Sequence, residues 1–270
     1  MTSARKGLAW FSLSKNYAVM CCFSRPVEFV SATRIFARPT TDGRQVLVYR
    51  MQYGATESLA MILPIPVATG GGENALRFID LSSYGIFFTM MERGFPVAAA
   101  PNFGGSLSAP AAETRALKVI DVGDFVASFV PSVKEFERLD ERFRLAPGVW
   151  EKLGIYDRFG FAVFQLKPGR RAVHPMAFTF PTATPRQIFF PTVHIHDGKV
   201  HTEADFDHIL YCQVPRAGAR SVTEWQESDR PAANFLDVPR TKDCVVGDYH
   251  VFRHSMIGQK PNKDVVLSWA

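Results

Sequence analysis

The first strong apolar block of the chain runs from Val27 to Val67. Val27 to Phe36 and Gln45 to Tyr53 are rich in β-branched and aromatic residues, with Thr40-Thr-Asp42-Gly43 between them. An Asp-Gly pair between two such runs predicts a hairpin, because both residues tolerate the positive φ of a tight turn. A third run, Ser58 to Ile65, is bounded by Pro64 and Pro66, and the three together predict an antiparallel meander. Gly70-Gly71-Gly72 then breaks the chain. It lacks the spacing of a phosphate loop and reads as a linker.

Helical spacing comes next. Ala75, Leu76, Phe78 and Ile79 fall on one face, and Ser82 or Ser83 is placed to cap a second piece with Ile86, Phe87 and Met90 inward. Gly94-Phe-Pro96 stops it. After an irregular stretch from Ala99 to Glu113, Leu117 to Val130 has strand character. Ser132-Val-Lys-Glu135 is a capping box, followed by Val133, Phe136, Leu139 and Phe143 at helical spacing. Val149, Trp150 and Leu153 suggest a short further helix. Phe159 to Leu166, Met176 to Phe180, Gln187 to His196, Phe206 to Val214 and Asp248 to His254 are further predicted strands.

This order predicts an α+β class: an antiparallel, β-rich domain with a few short helices. With 270 residues, 47% of them hydrophobic and 21% charged, the chain can bury a core without disulfide staples. The expected organisation is a loosely ordered extension over residues 1–20 and a single α+β domain over 21–270, with 21–110 and 114–270 as its halves. No run approaches a membrane span. The net charge of +5 is scattered, with its densest spot at Lys167-Pro-Gly-Arg170-Arg171, a turn. Nucleic acid is therefore not an expected partner. Lys15 and Asn16 interrupt the apolar run of Met1 to Met20, which argues for a cytoplasmic protein over an exported one. Translation from Met20 would leave Cys21 at the N-terminus.

Several pieces have a familiar order. Leu117-Lys-Val-Ile-Asp-Val-Gly-Asp-Phe-Val-Ala-Ser-Phe129 leads into the capped helix. Trp150, Tyr156, Phe161-Ala-Val-Phe-Gln-Leu-Lys167 and Pro175-Met-Ala-Phe-Thr-Phe-Pro181 come after it, with Cys21-Cys22-Phe23 and Leu63-Pro64-Ile65-Pro66 upstream. The stretch from Cys21 to Val214 resembles the uncharacterised bacterial proteins grouped as domain of unknown function 2330. The resemblance implies an α+β domain, no known activity and no functional residues to carry over. Members of that group look exported, and this N-terminus departs from that.

The candidate chemistry lies in histidine. All seven His are at or after His174, and His194, His196, His201 and His208 cluster. If Asp197-Gly198 is a two-residue hairpin loop, His194 stands opposite His201 and His196 opposite Lys199. His194, His196 and His201 then share a face with Thr192, Lys199 and Glu203, while Val193, Ile195, Val200 and Thr202 pack inward. Opposed Cα atoms lie about 4.5–5.5 Å apart, so three imidazoles can converge on zinc or copper. Lys199 opposes this, and a solvated histidine face is the competing reading. Glu203, His208, Cys21 and Cys22 are possible additional ligands, although His208 fits a core position on its own strand.

Three function classes are compatible with these residues. The first is a metal-binding protein, a hydrolase or oxidoreductase if catalytic. The second is a non-enzymatic β-rich binding or interaction module, with a small molecule or a protein as partner. The third is a Cys-dependent hydrolase using Cys21 or Cys22. The disulfide state of Cys21, Cys22, Cys212 and Cys244 is open at this point.

Overall fold

The computed structural model describes residues 22–95, 120–122, 125–145, 154, 156–195 and 201–269. Strands take 45% of these residues and helical turns 18%, which corrects the α+β expectation to a β-rich fold of several sheets. In chain order the strands are β1 (Cys22–Phe23), β2 (Phe29–Pro39), β3 (Arg44–Ala55), β4 (Leu59–Ile65), β5 (Arg77–Asp80), β6 (Ile120–Val122), β7 (Phe125–Val130) and β8 (Gly160–Leu166). They continue as β9 (Gly169–Ala172), β10 (Met176–Pro181), β11 (Gln187–Phe190), β12 (Glu203–Cys212), β13 (Gln226–Glu227), β14 (Phe252–Pro261) and β15 (Val265–Ser268). Among the described residues the one α-helix is α1 (Phe87–Glu92).

The helical expectations are met only in part, because each segment is too short to hold itself together and takes the shape the sheets impose; the one at Val149, Trp150 and Leu153 lies outside the described residues. Phe78 and Ile79 sit in β5, paired with Phe178 and Ala177 of β10, and not in a helix. α1 starts after Ile86 with no side-chain cap, and it buries Phe87, Phe88 and Met91. Ile86, expected inside, is 51% exposed. Ser132 is an N-cap whose side chain makes no capping bond, and it opens a 3₁₀ turn over Val133–Arg138 in place of an α-helix. A break at extended Leu139 lets Phe136, Leu139 and Phe143 all reach one core.

The first hairpin forms as its sequence predicts. Thr40 N–H donates to the Arg44 carbonyl at 2.8 Å, and Gly43 takes φ +75°. β4 does not continue a meander. It crosses to a five-stranded sheet ordered β1-β4-β8-β7-β6. The eight-stranded sheet runs β13-β14-β12-β2-β3-β10-β5, with β9 also on β3, and β11-β15 form a separate pair. Of these ladders only β12 against β2 is parallel.

The two large sheets face each other. Leu47, Tyr49, Met51 and Tyr53 of β3 and Ala162, Phe164 and Leu166 of β8 enter the shared core between them. The alternate residues also find partners. Val46 and Val48 pack outward with Phe36, Phe87 and Tyr211 under α1, and Phe161 and Val163 pack outward with Phe136 and Tyr156. Burial on both faces explains why β3, β4 and β8 read as continuous apolar runs and not as alternation. No helix of the described residues is long and apolar enough to cross a membrane.

Phe164 anchors the shared core, with the rings of Phe78, Phe125 and Phe178 at 5.8, 6.2 and 6.0 Å. Phe164→Ala is expected to cost about 3–5 kcal/mol in urea denaturation, the usual range for an emptied aromatic site. A loss below about 1 kcal/mol would mean that this ring cluster does not join the sheets.

Candidate functional site

On β12 the residues Phe206, His208, Leu210 and Cys212 alternate into the shared core, as the sequence pattern predicts. His208 is 1% exposed and His194 2%. Their rings stack at 5.2 Å and 27°, and the Phe206 ring lies 4.1 Å from His194 and 5.0 Å from His208. Neither ring nitrogen of His208 meets a hydrogen-bond partner among the described residues. Burial, then the neighbouring His194, then Arg34 hold the His208 pKa well below the ordinary imidazole value. The ring is neutral at pH 7, because charging it would place an unsolvated cation in an aromatic core.

His194 reaches this position on a segment with no ladder of its own. Residues 192–195 do not pair with 201–203, so the expected hairpin register, with His194 opposite His201, is not formed by these flanks. Two side chains from the turn after β14 hold the segment instead. Asn262 Oδ1 accepts the His194 N–H at 2.7 Å, while its Nδ2 donates to the carbonyls of His194 at 2.9 Å and His201 at 3.0 Å. Asp264 Oδ1 accepts the N–H groups of Thr192 at 2.8 Å and Val193 at 3.1 Å. Its Oδ2 accepts the Tyr156 hydroxyl at 2.6 Å. Burial pushes the Asp264 pKa up to about 6, against the pull of these three donors. Val193 and Ile195 enter the outer core of the five-stranded sheet, as alternation predicts.

The structure brings together His194 and His208. His201 and Glu203 are exposed, and Glu203 opens β12 opposite Pro261. His196, the turn at Asp197-Gly198 and Cys21 lie outside the described residues. Cys22 is buried in β1, opposite Ile62 and bridged to Ile195 through the backbone. Cys212 and Cys244 are also buried, and among the described residues none of the three is in a disulfide. Burial pushes the Cys244 pKa up to about 12. Thiols in such surroundings are poor nucleophiles. Among the described residues no group of three or more His, Cys, Asp or Glu side chains is placed to hold a metal ion. Sequence reasoning missed Asn262 and Asp264. Their signal was the Asn262-Lys-Asp264 turn between two strand-like runs, since Asn and Asp cap backbone N–H groups in such turns.

No protein-family model matches the chain. Solved structures do. The fold resembles that of baculovirus P35. That crystal structure matches with a TM-score of 0.53 at 13% sequence identity, over 92% of this chain and 99% of the other. A mutated baculovirus P35 after caspase cleavage matches at 0.48 and 12%, over 89% and 100% of the two chains. P35 in its complex with caspase-8 matches at 0.46 and 12%, over 88% and 96%. At this identity the likeness is one of fold.

Two measurements test the buried site. Asp264→Ala strands three donors at about 1–3 kcal/mol each and is expected to cost at least about 3 kcal/mol. A neutral result would remove Asp264 as the clamp. The pH dependence has two opposed parts. His208 has a depressed folded pKa, so the unfolded chain takes up its proton first and stability falls as pH drops below about 6.5. Asp264 has a raised one, so its contribution grows as pH falls through about 6 and is lost as pH rises. In urea melts between about pH 4.5 and 7.5, His208→Phe should flatten the acid loss and Asp264→Asn should steepen it. Parallel profiles for all three proteins would refute both assignments.

Proposed function

We propose that this chain is a non-enzymatic, β-rich protein-interaction module, and that its partner is a protease of the caspase kind. One observation carries the reading: the end-to-end fold match with baculovirus P35, a protein whose complex with caspase-8 is known. The match runs over both chains almost entirely, so it concerns the whole arrangement of sheets and not one shared motif. The buried state of Cys22 and the neutral, core-packed His208 also fit a scaffold better than a reaction centre.

The test is direct association. The full chain, mixed with purified caspase-8 and separately with papain as an unrelated cysteine protease, is run on analytical gel filtration. Co-elution with the caspase and not with papain is expected, at a Kd of about 1 μM or tighter for an interface of standard size. Separate elution from caspase-8 and from a panel of other caspases would overturn the reading.

A further inference from the structure

β2 carries a bulge beside the point where β12 joins it. The β2–β3 ladder steps from Ser31 opposite Gln52 to Arg34 opposite Arg50, so Ala32 and Thr33 together face the single residue Met51. An extra residue of this kind unpairs the ladder locally and bends the strand. Ala32 takes φ +53°, uncommon for a residue with a Cβ. Asp207 of β12 holds it there, its Oδ2 accepting the Ala32 N–H at 2.7 Å. Thr33 shares a face with Ile35, two positions on, and Ile35 enters the shared core. Thr33 is fully buried, and its hydroxyl has no hydrogen-bond partner among the described residues.

A second unmet group stands across from it. The parallel ladder pairs Ile209 with Arg34 and Leu210 with Ile35. One step back along it, His208 falls against Thr33, and both project inward with Leu210 and Ile35. Both ring nitrogens of His208 are buried and without a hydrogen-bond partner among the described residues. The neighbouring rings do not supply one. His194 stacks on the imidazole at 5.2 Å and 27°, above its plane, whereas the nitrogens bond within that plane. Phe206, at 5.0 Å, has no polar atom to offer. Asp207 and Arg34 alternate to the outer face, where Arg34 is engaged by Glu92 at 3.1 Å and by the Thr33 carbonyl at 3.0 Å. A neutral imidazole carries one donor and one acceptor, and a hydroxyl carries both. Groups of this kind left unmet in a native core are rare and costly.

We propose an internal hydration site at the bulge, in which one ordered water bridges the Thr33 hydroxyl and a ring nitrogen of His208. Two hydrogen bonds of about 2.8 Å meeting at one oxygen span about 4.5–5 Å, which matches the spacing of neighbouring strands, about 4.8 Å. Water is both donor and acceptor, so it serves the hydroxyl and the imidazole in either tautomer. The donor set is too poor for a metal ion, with one imidazole, one neutral hydroxyl and the Arg34 charge close by. The bridged pair exists only in this register, since a slip of one residue turns His208 to the outer face. The water therefore belongs to the junction that joins the two groups of strands in the eight-stranded sheet, and the inference stands apart from the caspase reading.

Two experiments on the full chain test it. A crystal structure near neutral pH, at a resolution that shows ordered water, should place one water within about 2.6–3.2 Å of both Thr33 Oγ1 and a His208 ring nitrogen. An empty map at that point, or a direct Thr33–His208 hydrogen bond, would overturn the site. The same water should be gone from the His208→Phe crystal, and its persistence there would remove His208 as a partner and the proposal with it. The second experiment is urea unfolding of Thr33→Val, His208→Phe and the double variant at about pH 7.5, where histidine is neutral in both states. Each single change strands the other partner, while the double change removes both, so the double variant should be about five- to tenfold more stable in its unfolding constant than the two single effects combined. Additivity within about twofold would refute the bridge. If a variant does not fold, the wild-type map decides alone.

Discussion

The parallel pairing of β12 with β2 is the contact on which the rest of the structure depends. Ile209, Leu210, Tyr211 and Cys212 lie against Arg34, Ile35, Phe36 and Ala37 across a sequence separation that covers most of the chain. Without it the eight-stranded sheet would split into an N-terminal group around β2, β3 and β10 and a C-terminal group around β12 and β14. A parallel ladder cannot be closed by a tight turn and needs a long crossover. Here the crossover contains most of the five-stranded sheet, so the two sheets are bound into one core by topology as well as by packing. The same contact puts His208 beside the β2 bulge at Ser31 to Arg34, puts Asp207 on the Ala32 N–H, and sets Tyr211 next to Glu92 and Arg34.

Where strands do not pair, side chains take over the backbone's hydrogen bonding. Asn262 and Asp264 hold residues 192–194 as a neighbouring strand would. Gln45 does the same for Phe189, donating to its carbonyl at 2.7 Å and accepting its N–H at 3.0 Å, and Gln213 spans to Val246 at 2.8 and 2.9 Å. Buried backbone groups need partners wherever they are. A primary amide or carboxylate that supplies them leaves the local chain free of ladder geometry. That freedom lets His194 turn onto His208 while its neighbours Val193 and Ile195 enter a different core.

The distribution of charge comes from the same architecture. The shared core and the α1 cover absorb many of the aromatic residues, and the cations left on the outer sheet face are arranged by strand register and not by sequence proximity. Arg34 and Arg50 meet because the hairpin at Thr40 to Gly43 aligns them, and Glu92 meets Arg34 because α1 packs Phe87 and Phe88 against Phe36 and Tyr211. A scattered net charge of +5 thus contains a like-charge contact across one ladder that composition alone does not reveal.

Short-range chemistry was legible in the sequence. The Asp42-Gly43 turn, the β2–β3 hairpin, the Lys167-Pro-Gly169 turn and the inward alternation of Phe206, His208, Leu210 and Cys212 were all readable, because each depends on neighbours within a few residues. With the hairpin register in hand, even the opposition of Arg34 and Arg50 could have been read. The segments around Phe78–Ile79 and Val133–Phe143 were misread as α-helices because helical spacing in a segment of about six to ten residues specifies which side is apolar, not which shape buries it. The turn signal at Asp197-Gly198 also could not show that the backbone N–H groups of Thr192, Val193 and His194 bond to Asp264 and Asn262, about seventy residues away. Only the tertiary structure decided the division into two facing sheets, the parallel β12–β2 contact and the stacking of His194 on His208. Each of these rests on packing between residues that are not neighbours in sequence, where no local preference distinguishes one partner from another.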